Sequence, residues 1–594
     1  YKRQAYTGHV YVDKNKNGVF DQSEKPLAGI KVSDGLNVVE TAADGSFTLP
    51  GHERERFIFI TTPSGYKTFN RHYHKIEKKQ SGYDFGLIPY SGRIRKNGSH
   101  RYIHIADTEI FNTENHADWV NNVRDYARNE QAAFIIHTGD ICYEKGLKAH
   151  IKLMNTENMD CPVFYCIGNH DLVKGKYGEE LFESIYGPVY YSFDAGNVHY
   201  VVTPMPGGDH APGYTSDDVC RWLKNDLAHI RPGTPVVVFN HDLLTYEDTF
   251  IFKSKNAGSI NLNEYNLKAW VYGHWHINYM KKQGDVYSVC TSSLDKGGID
   301  HSTTAFRVMH VDSKGDFTSE LRYTYLDKNI CIASPAGVMA SGVLPVAVNV
   351  YSSVSPVREV LYTCLADGKP VLKNKRLLQS TDWSWNGELP LSHKYVGKEL
   401  TLRVTARFNN GEIAEAESHF ICRTEKAVPL FSADWDNLSG NAKHSAPVSA
   451  PLNLPLQLAW TNNVGANLYM TSPLIHKGKV IVASVDEDLK GVGHVYALNG
   501  KDGTILWSCP VRNSIKNSIA VDSDIVFAQD AQGFLYAIDT ETGKLCWEKQ
   551  LPVNGLPALI DGLVAGEGVV YAGTGKGLCA FEARTGKQLW KNEG

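Results

Sequence analysis

Five stretches decide the fold: YIHIAD (102–107), AFIIHTGD (133–140), PVFYCIGNHD (162–171), PVVVFNHD (235–242) and KAWVYGHWH (268–276). Each is an apolar run of strand length that ends in a polar cluster, and helix-like stretches such as HADWVNNVRDYARNEQ (116–131) lie between them. Apolar strands alternating with helices predict a layered α/β domain over residues 97–330. If the runs are sheet strands, the polar clusters sit on loops at strand ends, where backbone pairing stops and side chains can converge on one pocket.

Outward from this region the pattern changes. Residues 1–90 alternate short β-type runs (HVYV, IKV, SFTL, FIFI) with Gly, Asn and Asp turns, which predicts a small β-sandwich. The polar stretch SGRIRKNGSH (91–100) reads as a linker. Residues 331–428 return to β-type runs (VAVNVY, REVLYTC, ELTLRVTARF) and predict a second sandwich, immunoglobulin-like in pattern. Ser, Ala, Asn and Pro without periodicity mark residues 429–456 as a further linker. From 457 to 594 the chain repeats: VYALNGKDGTILW, LYAIDTETGKLCW and LCAFEARTGKQLW end at Trp507, Trp547 and Trp590, spaced by 40 and 43 residues. Each repeat reads as a hairpin turning at Asp502-Gly503, Thr542-Gly543 or Thr585-Gly586, and Trp460 is placed to close an earlier partial unit.

Composition bounds the rest. A length of 594 residues implies about three to five domains. With 42% hydrophobic and 21% charged residues the chain is globular rather than disordered. Lys plus Arg (61) against Asp plus Glu (65) leaves a formal net charge of -4, which excludes a general polyanion-binding role such as a nucleic-acid scaffold. The sequence contains no apolar run of the roughly 18 residues that a membrane-spanning helix needs. Eleven unpatterned cysteines, most of them in apolar runs, do not indicate a disulfide framework.

The polar clusters offer Asp107, Asp140, Asn169, His241, His274 and His276, a set of carboxylate, amide and imidazole donors suited to two divalent ions. One carboxylate, Asp140, could be shared between two ions ~3.5–4 Å apart, the spacing used to clamp the oxygens of phosphoryl transfer. The clusters resemble the ordered motifs of the calcineurin-like metallophosphoesterases, D-x-H, G-D, G-N-H-D/E, a lone His and G-H-x-H. Gly139-Asp140, Gly168-Asn169-His170-Asp171, His241 and Gly273-His274-Trp275-His276 match in order. The resemblance implies a four-layer α/β sandwich hydrolysing a phosphomonoester or phosphodiester. It implies one metal on Asp107, Asp140 and His276, another on Asp140, Asn169, His241 and His274, a general acid at His170 and an orienting carboxylate at Asp171. The departure is Asp107-Thr108-Glu109, where Glu109 replaces the usual histidine. A carboxylate ligand there favours Mn, Fe or Mg over Zn. A degenerate site on an exported binding or scaffold protein, docking a protein or glycan partner through its β-domains, is the alternative. Gly139-Asp140-Ile141-Cys142-Tyr143 also fits the G-D-x-x-Y of purple acid phosphatases, which implies Tyr143 as an iron ligand.

Two further patterns stand apart from these clusters. Asp13, Asn15, Asn17, Asp21 and Glu24, with Gly18 at the turn, satisfy a twelve-residue calcium-loop pattern, but strand-like flanks argue against paired helices. This loop resembles those of bacterial surface domains of the Cna-B type, and structural calcium there favours an exported, periplasmic or cell-surface protein whose export signal would precede Tyr1. The C-terminal repeats resemble quinoprotein-type β-propeller blades. Because closure takes about 4–8 blades, the propeller is expected to be partial, and the repeat is a packing pattern rather than a quinone site. The fold class expected is thus multidomain: a four-layer α/β sandwich between two β-sandwiches, then a partial propeller.

Overall fold

A computed structural model of the chain describes residues 5–78, 80, 82–424, 434–445, 456, 458–552, 556–557 and 562–593. Of the linker expected at 429–456, residues 434–445 and 456 are described, and Trp435 there pairs with Ile475 of the first repeat. Contacts divide the chain into two compact units, Tyr1–Thr324 and Tyr325–Gly594.

Two sheets build the larger part of the first unit. One has the order Val163–Tyr165, Phe134–His137, His100–Ile105, Ala305–Val311, Phe317–Tyr323, with the first three strands parallel. The other runs Tyr191–Ala195, Val198–Val202, Val236–Phe239, Leu267–Tyr272, Val286–Cys290, Tyr279–Gln283, and its four middle strands are parallel. Strand side chains alternate between faces, and the alternation assigns each set its partner. Tyr102, Phe134 and Phe164 meet Phe193, Tyr200 and Phe239 between the sheets, with ring centroids 3.8 Å apart for Phe164–Phe193 and 5.0 Å for Phe134–Tyr200. The alternate residues Ile103, Ile105, Ile135 and Val163 face helices instead, packing with Trp119, Val123, Leu147 and Phe182. Helix Ala117–Asn129 buries Trp119, Val120, Val123, Tyr126 and Ala127, one stripe at helical spacing. On the second sheet's side, helix Ser216–Ala228 starts at a capping box in which Thr215 and Asp218 bond each other's backbone N–H groups. Tyr191–Ala195 and Val198–Val202 pair as a hairpin around Gly196.

The N-terminal region of this unit is a β-sandwich. One sheet gathers Tyr6–Val12, Lys25–Pro26, Ser46–Leu49, Tyr66–Thr68 and Phe85–Pro89; the other gathers Lys31–Ser33, Val38–Glu40, Phe57–Ile60 and Tyr73–Lys75. Val10, Val32, Phe47, Ile58, Phe85 and Leu87 fill the space between them.

In the second unit, sheets of four and five strands within residues 329–423 enclose Val346, Val348, Val360, Trp385, Leu402 and Val404. Three four-stranded antiparallel sheets follow: Leu474–His476 to Ile505–Pro510, Ala520–Asp522 to Leu545–Gln550, and Val564–Gly566 to Gln588–Glu593. One device joins successive blades. Trp460 donates its indole N–H to Gly500 O (2.8 Å), Trp507 to Thr540 O (3.0 Å) and Trp547 to Ala583 O (2.9 Å). Each ring covers the turn glycine of the next hairpin, so closely that a Cβ on Gly503, Gly543 or Gly586 would stand 2.3, 2.7 or 2.7 Å from it. The repeat spacing is therefore the spacing of a tryptophan-on-glycine contact. No described helix is long and apolar enough to cross a membrane.

Candidate metal centre

The five polar clusters emerge at the C-terminal ends of parallel strands. Asp107 follows His100–Ile105, Asp140 follows Phe134–His137, Asn169 follows Val163–Tyr165, His241 follows Val236–Phe239, and His274 and His276 follow Leu267–Tyr272. Two triads result, Asp107/Asp140/His276 and Asp140/His241/His274, each with one donor atom per residue within 4.8 Å of the others. Asp140 belongs to both. His276 Nε2 lies 3.5 Å from Asp107 Oδ1, and His241 Nε2 lies 3.1 Å from Asp140 Oδ2.

Backbone strain accompanies the convergence. Asp107 (φ 51°), Glu109 (44°), Asp140 (54°), His274 (65°) and His276 (50°) all adopt the left-handed region, which costs a residue with a Cβ of order 1 kcal/mol or more. Gly168 shows why its motif opens on glycine: a Cβ there would lie 2.2 Å from Asp140 Oδ1.

Two buried donor atoms have no hydrogen-bond partner, Asn169 Oδ1 and His241 Nε2. The other ring nitrogen of His241 donates to Thr138 O at 2.7 Å, which leaves Nε2 to face the carboxylates, 3.1 Å from Asp140 Oδ2. An unsatisfied buried polar atom costs about 1–3 kcal/mol, and a cation between these donors would satisfy both. The electrostatics agree. Burial pushes the Asp107 carboxyl well above the usual carboxylate range, with Asp140 and Glu109 adding to the rise and His241 opposing it. Burial also acts against Asp140, yet the charge of His241 and the His170 N–H (3.0 Å) hold it down at about 2. Burial opposes charge on His241, but Asp140 and Asp107 raise it to about 10. Asp140 thus draws on the charge of His241 while burial prevails at Asp107, and a donor set of buried carboxylates, amide and imidazoles fits divalent cations.

The remaining candidates divide. Glu109 sits at the edge of the first triad, its Oε1 3.5 Å from His276 Nε2 and its Oε2 3.2 Å from Lys296 Nζ. Lys296 also donates to Glu109 O at 3.1 Å. A third group, Glu109/Asp140/Cys142, includes a thiol that burial raises far above its usual range, so Cys142 is a poor donor. Asp171 does not orient His170: its carboxylate accepts Cys142 N (2.8 Å) and Gly168 N (2.9 Å) and holds the Asn169–Asp171 turn in place. The partner of His170 Nδ1 is Asp209, at 2.9 Å, on the PMPGGDHAPGYT loop. Tyr143 begins helix Tyr143–Leu153, with its ring 5.3 Å from that of His170 and 6.3 Å from that of Phe111.

Sequence patterning misses Asp209 and Lys296, since neither follows an apolar run in a recognisable motif. His104 and His137 are buried, satisfied core residues, bonded to Thr138 and Thr291 and to Thr108. In the N-terminal loop, Asp13 accepts the N–H of Asn17 and Gly18, Glu24 that of Lys14 and Asp21, while Asp21 accepts the amides of Asn15 and Asn17. Strands Tyr6–Val12 and Lys25–Pro26 flank it.

Residues 100–278 match the family model of calcineurin-like phosphoesterases, residues 14–89 match the model of the N-terminal region of calcineurin-like phosphoesterase, and residues 457–594 match that of the outer membrane protein assembly factor BamB. Purple acid phosphatase 13 of Arabidopsis thaliana is 26% identical over 34% of this chain and 36% of its own length. The quinohemoprotein alcohol dehydrogenase ADH-IIG of Pseudomonas putida is 26% identical over 16% of each chain. The quinoprotein alcohol dehydrogenase PedE, also of Pseudomonas putida, is 48% identical over 10% of each. This chain thus spans between 10% and 36% of the length of these curated relatives.

Proposed function

We propose that the chain hydrolyses a phosphate ester at the strand-end centre. The observation that carries this reading is the sharing of Asp140 by two triads beside two buried, unpartnered donors, Asn169 Oδ1 and His241 Nε2. Asp107, Asp140 and His276 would hold one cation, and Asp140, Asn169, His241 and His274 the other, with Glu109 at the margin of the first. Mn, Fe, Zn or Mg all accept these donors. When bound, such ions supply the positive charge that acidifies water and neutralises phosphoryl oxygens.

The chain's own residues do the rest. In hydrolysis a water oxygen bonds to phosphorus as the ester oxygen departs, so the water loses a proton and the departing oxygen needs one. His170 would supply it. Burial disfavours its charge, but the Asp209 hydrogen bond, with Asp140 and Glu109 behind it, raises its pKa above the ordinary histidine value. Asp209 accepts from Nδ1 and so leaves Nε2 for the departing oxygen. Lys296 offsets the charge of Glu109 at the same rim.

The test is metal analysis of the purified chain together with hydrolysis of a phosphomonoester and a phosphodiester under Mn, Fe, Zn and Mg. About two ions per chain, with activity that disappears in Asp140→Ala, is the expected result. Equal hydrolysis by the variant and the wild type overturns the reading.

A further inference from the structure

The wall beside His170 carries two large aromatic rings that the core does not use. Phe111 is 56% exposed and Tyr143 43% exposed, and the two stack with their planes 15° apart. Tyr143 in turn lies against His170, with ring centroids 5.3 Å apart. A contiguous stack Phe111–Tyr143–His170 therefore runs from the proton donor outward. Aromatic faces left in water beside a reacting group are a costly surface for a soluble domain to keep unless something planar covers them.

Both residues are held there by the same turns that build the centre. Tyr143 has φ 55° and directly follows Cys142 with φ 75°, and Phe111 stands two positions after Glu109 with φ 44°. The loops that deliver Asp140 and Glu109 thus also deliver the rings.

Resting on the hydrolytic reading above, we infer that Phe111 and Tyr143 form a platform for the departing group of the ester, and that this group is planar and aromatic: an aryl ring or a nucleobase attached close to the ester oxygen. The assignment follows from adjacency. His170 protonates the departing oxygen, so whatever that oxygen carries lies next to the ring stack. A second exposed ring, Tyr246 (61% exposed), stacks on Trp275 at 5.9 Å, outside the Phe111–Tyr143–His170 series. It serves as the control position.

The experiment compares binding of benzylphosphonate and ethylphosphonate to the metal-loaded full chain by calorimetry, because neither can be hydrolysed and the two differ in the ring. Wild type should prefer the benzyl compound about tenfold, the value of roughly one good aromatic stack. The double variant Phe111→Ala with Tyr143→Ala should lose that preference while still binding ethylphosphonate. Tyr143→Phe, which keeps the ring and removes the hydroxyl, should retain both the preference and the bound metal. Tyr246→Ala should retain it too. Equal affinity for the two phosphonates in wild type overturns the platform, as does a preference lost in Tyr246→Ala but kept in the double variant. If neither phosphonate binds and Asp140→Ala hydrolyses esters as well as wild type, the hydrolytic reading itself has failed and the platform falls with it. Ethylphosphonate binding without a benzyl preference removes the platform alone.

Discussion

Among the described residues, the strand ends and the propeller each bring a histidine and aspartates within ligand distance, and only the strand ends are built like a metal centre. In the propeller, Asp434, Asp436 and His476 form a group as tight as those at the strand ends. Yet His476 has both nitrogens engaged, Nδ1 with Asp436 at 2.8 Å and Nε2 with Asp524 at 2.9 Å. Lys477 neutralises Asp524. At the strand ends His241 Nε2 and Asn169 Oδ1 are buried without a hydrogen-bond partner, and the residues around them sit at positive φ. A satisfied cluster stabilises a fold, whereas an unsatisfied and strained one is kept by what it binds.

The largest expected effect tests the strand-end side of this contrast. Asp140→Ala removes the carboxylate common to both triads and should lower kcat/KM for phosphoester hydrolysis by about 10³-fold or more, about 4 kcal/mol of transition-state stabilisation. Metal content should fall in parallel. The corresponding change in the propeller, Asp436→Ala, should leave hydrolysis and metal content as they are.

Glycines give the next pair of tests, since both regions depend on them for opposite ends. In Gly168→Ala the new Cβ would meet Asp140 Oδ1 at 2.2 Å, displacing a donor and reducing hydrolysis by about 10²-fold, the cost of roughly an ångström of misplacement. Gly503→Ala combines φ 73° with a Cβ 2.3 Å from the Trp460 ring. It should cost about 1–3 kcal/mol of stability, read from the urea midpoint of the C-terminal repeats, and leave hydrolysis untouched.

What the sequence makes legible follows the same division. Tryptophan and glycine recur because each blade repeats one contact, so a period of about 40 residues exposes the architecture directly. Asp107, Asp140, Asn169, His241, His274 and His276 are legible for another reason: each ends an apolar run, and parallel strands send all such ends to one edge. Asp209 and Lys296 are not legible, because they arrive from loops whose course depends on tertiary packing. Asp171 shows the limit of neighbourhood in sequence. It adjoins His170 but spends its carboxylate on Cys142 N and Gly168 N, leaving the orientation of His170 to a residue 39 positions away.

Asp209→Asn sharpens that point. The amide keeps a hydrogen-bond acceptor but not the charge, so the pKa of His170 should fall toward its ordinary value. A proton donor must be protonated to act, and activity therefore falls as pH rises through its pKa. Lowering that pKa moves the alkaline limb of the kcat profile to lower pH, with about tenfold less activity on that limb and a smaller change in acid. An unmoved limb would detach Asp209 from proton donation.

The smallest expected effect belongs to the satisfied cluster. The hydrogen bond to Asp436 is the largest influence raising the His476 pKa, followed by that to Asp524, with burial opposing them. A histidine whose folded-state pKa is raised contributes stability that is fully present below its unfolded value, about 6.5, and is lost as pH rises through the folded value. Asp524 is held near 2, so its side of the pair survives mild acid. Hydrogen exchange over strands Leu474–His476 and Ala520–Asp522, corrected for the intrinsic rate, should show protection that weakens between pH 6.5 and the alkaline side in wild type. In His476→Gln it should be lower in acid and flat across the same interval. If wild type were flat as well, the imidazole would not change its charge over that interval, and the pair with Asp436 and Asp524 would not depend on its titration.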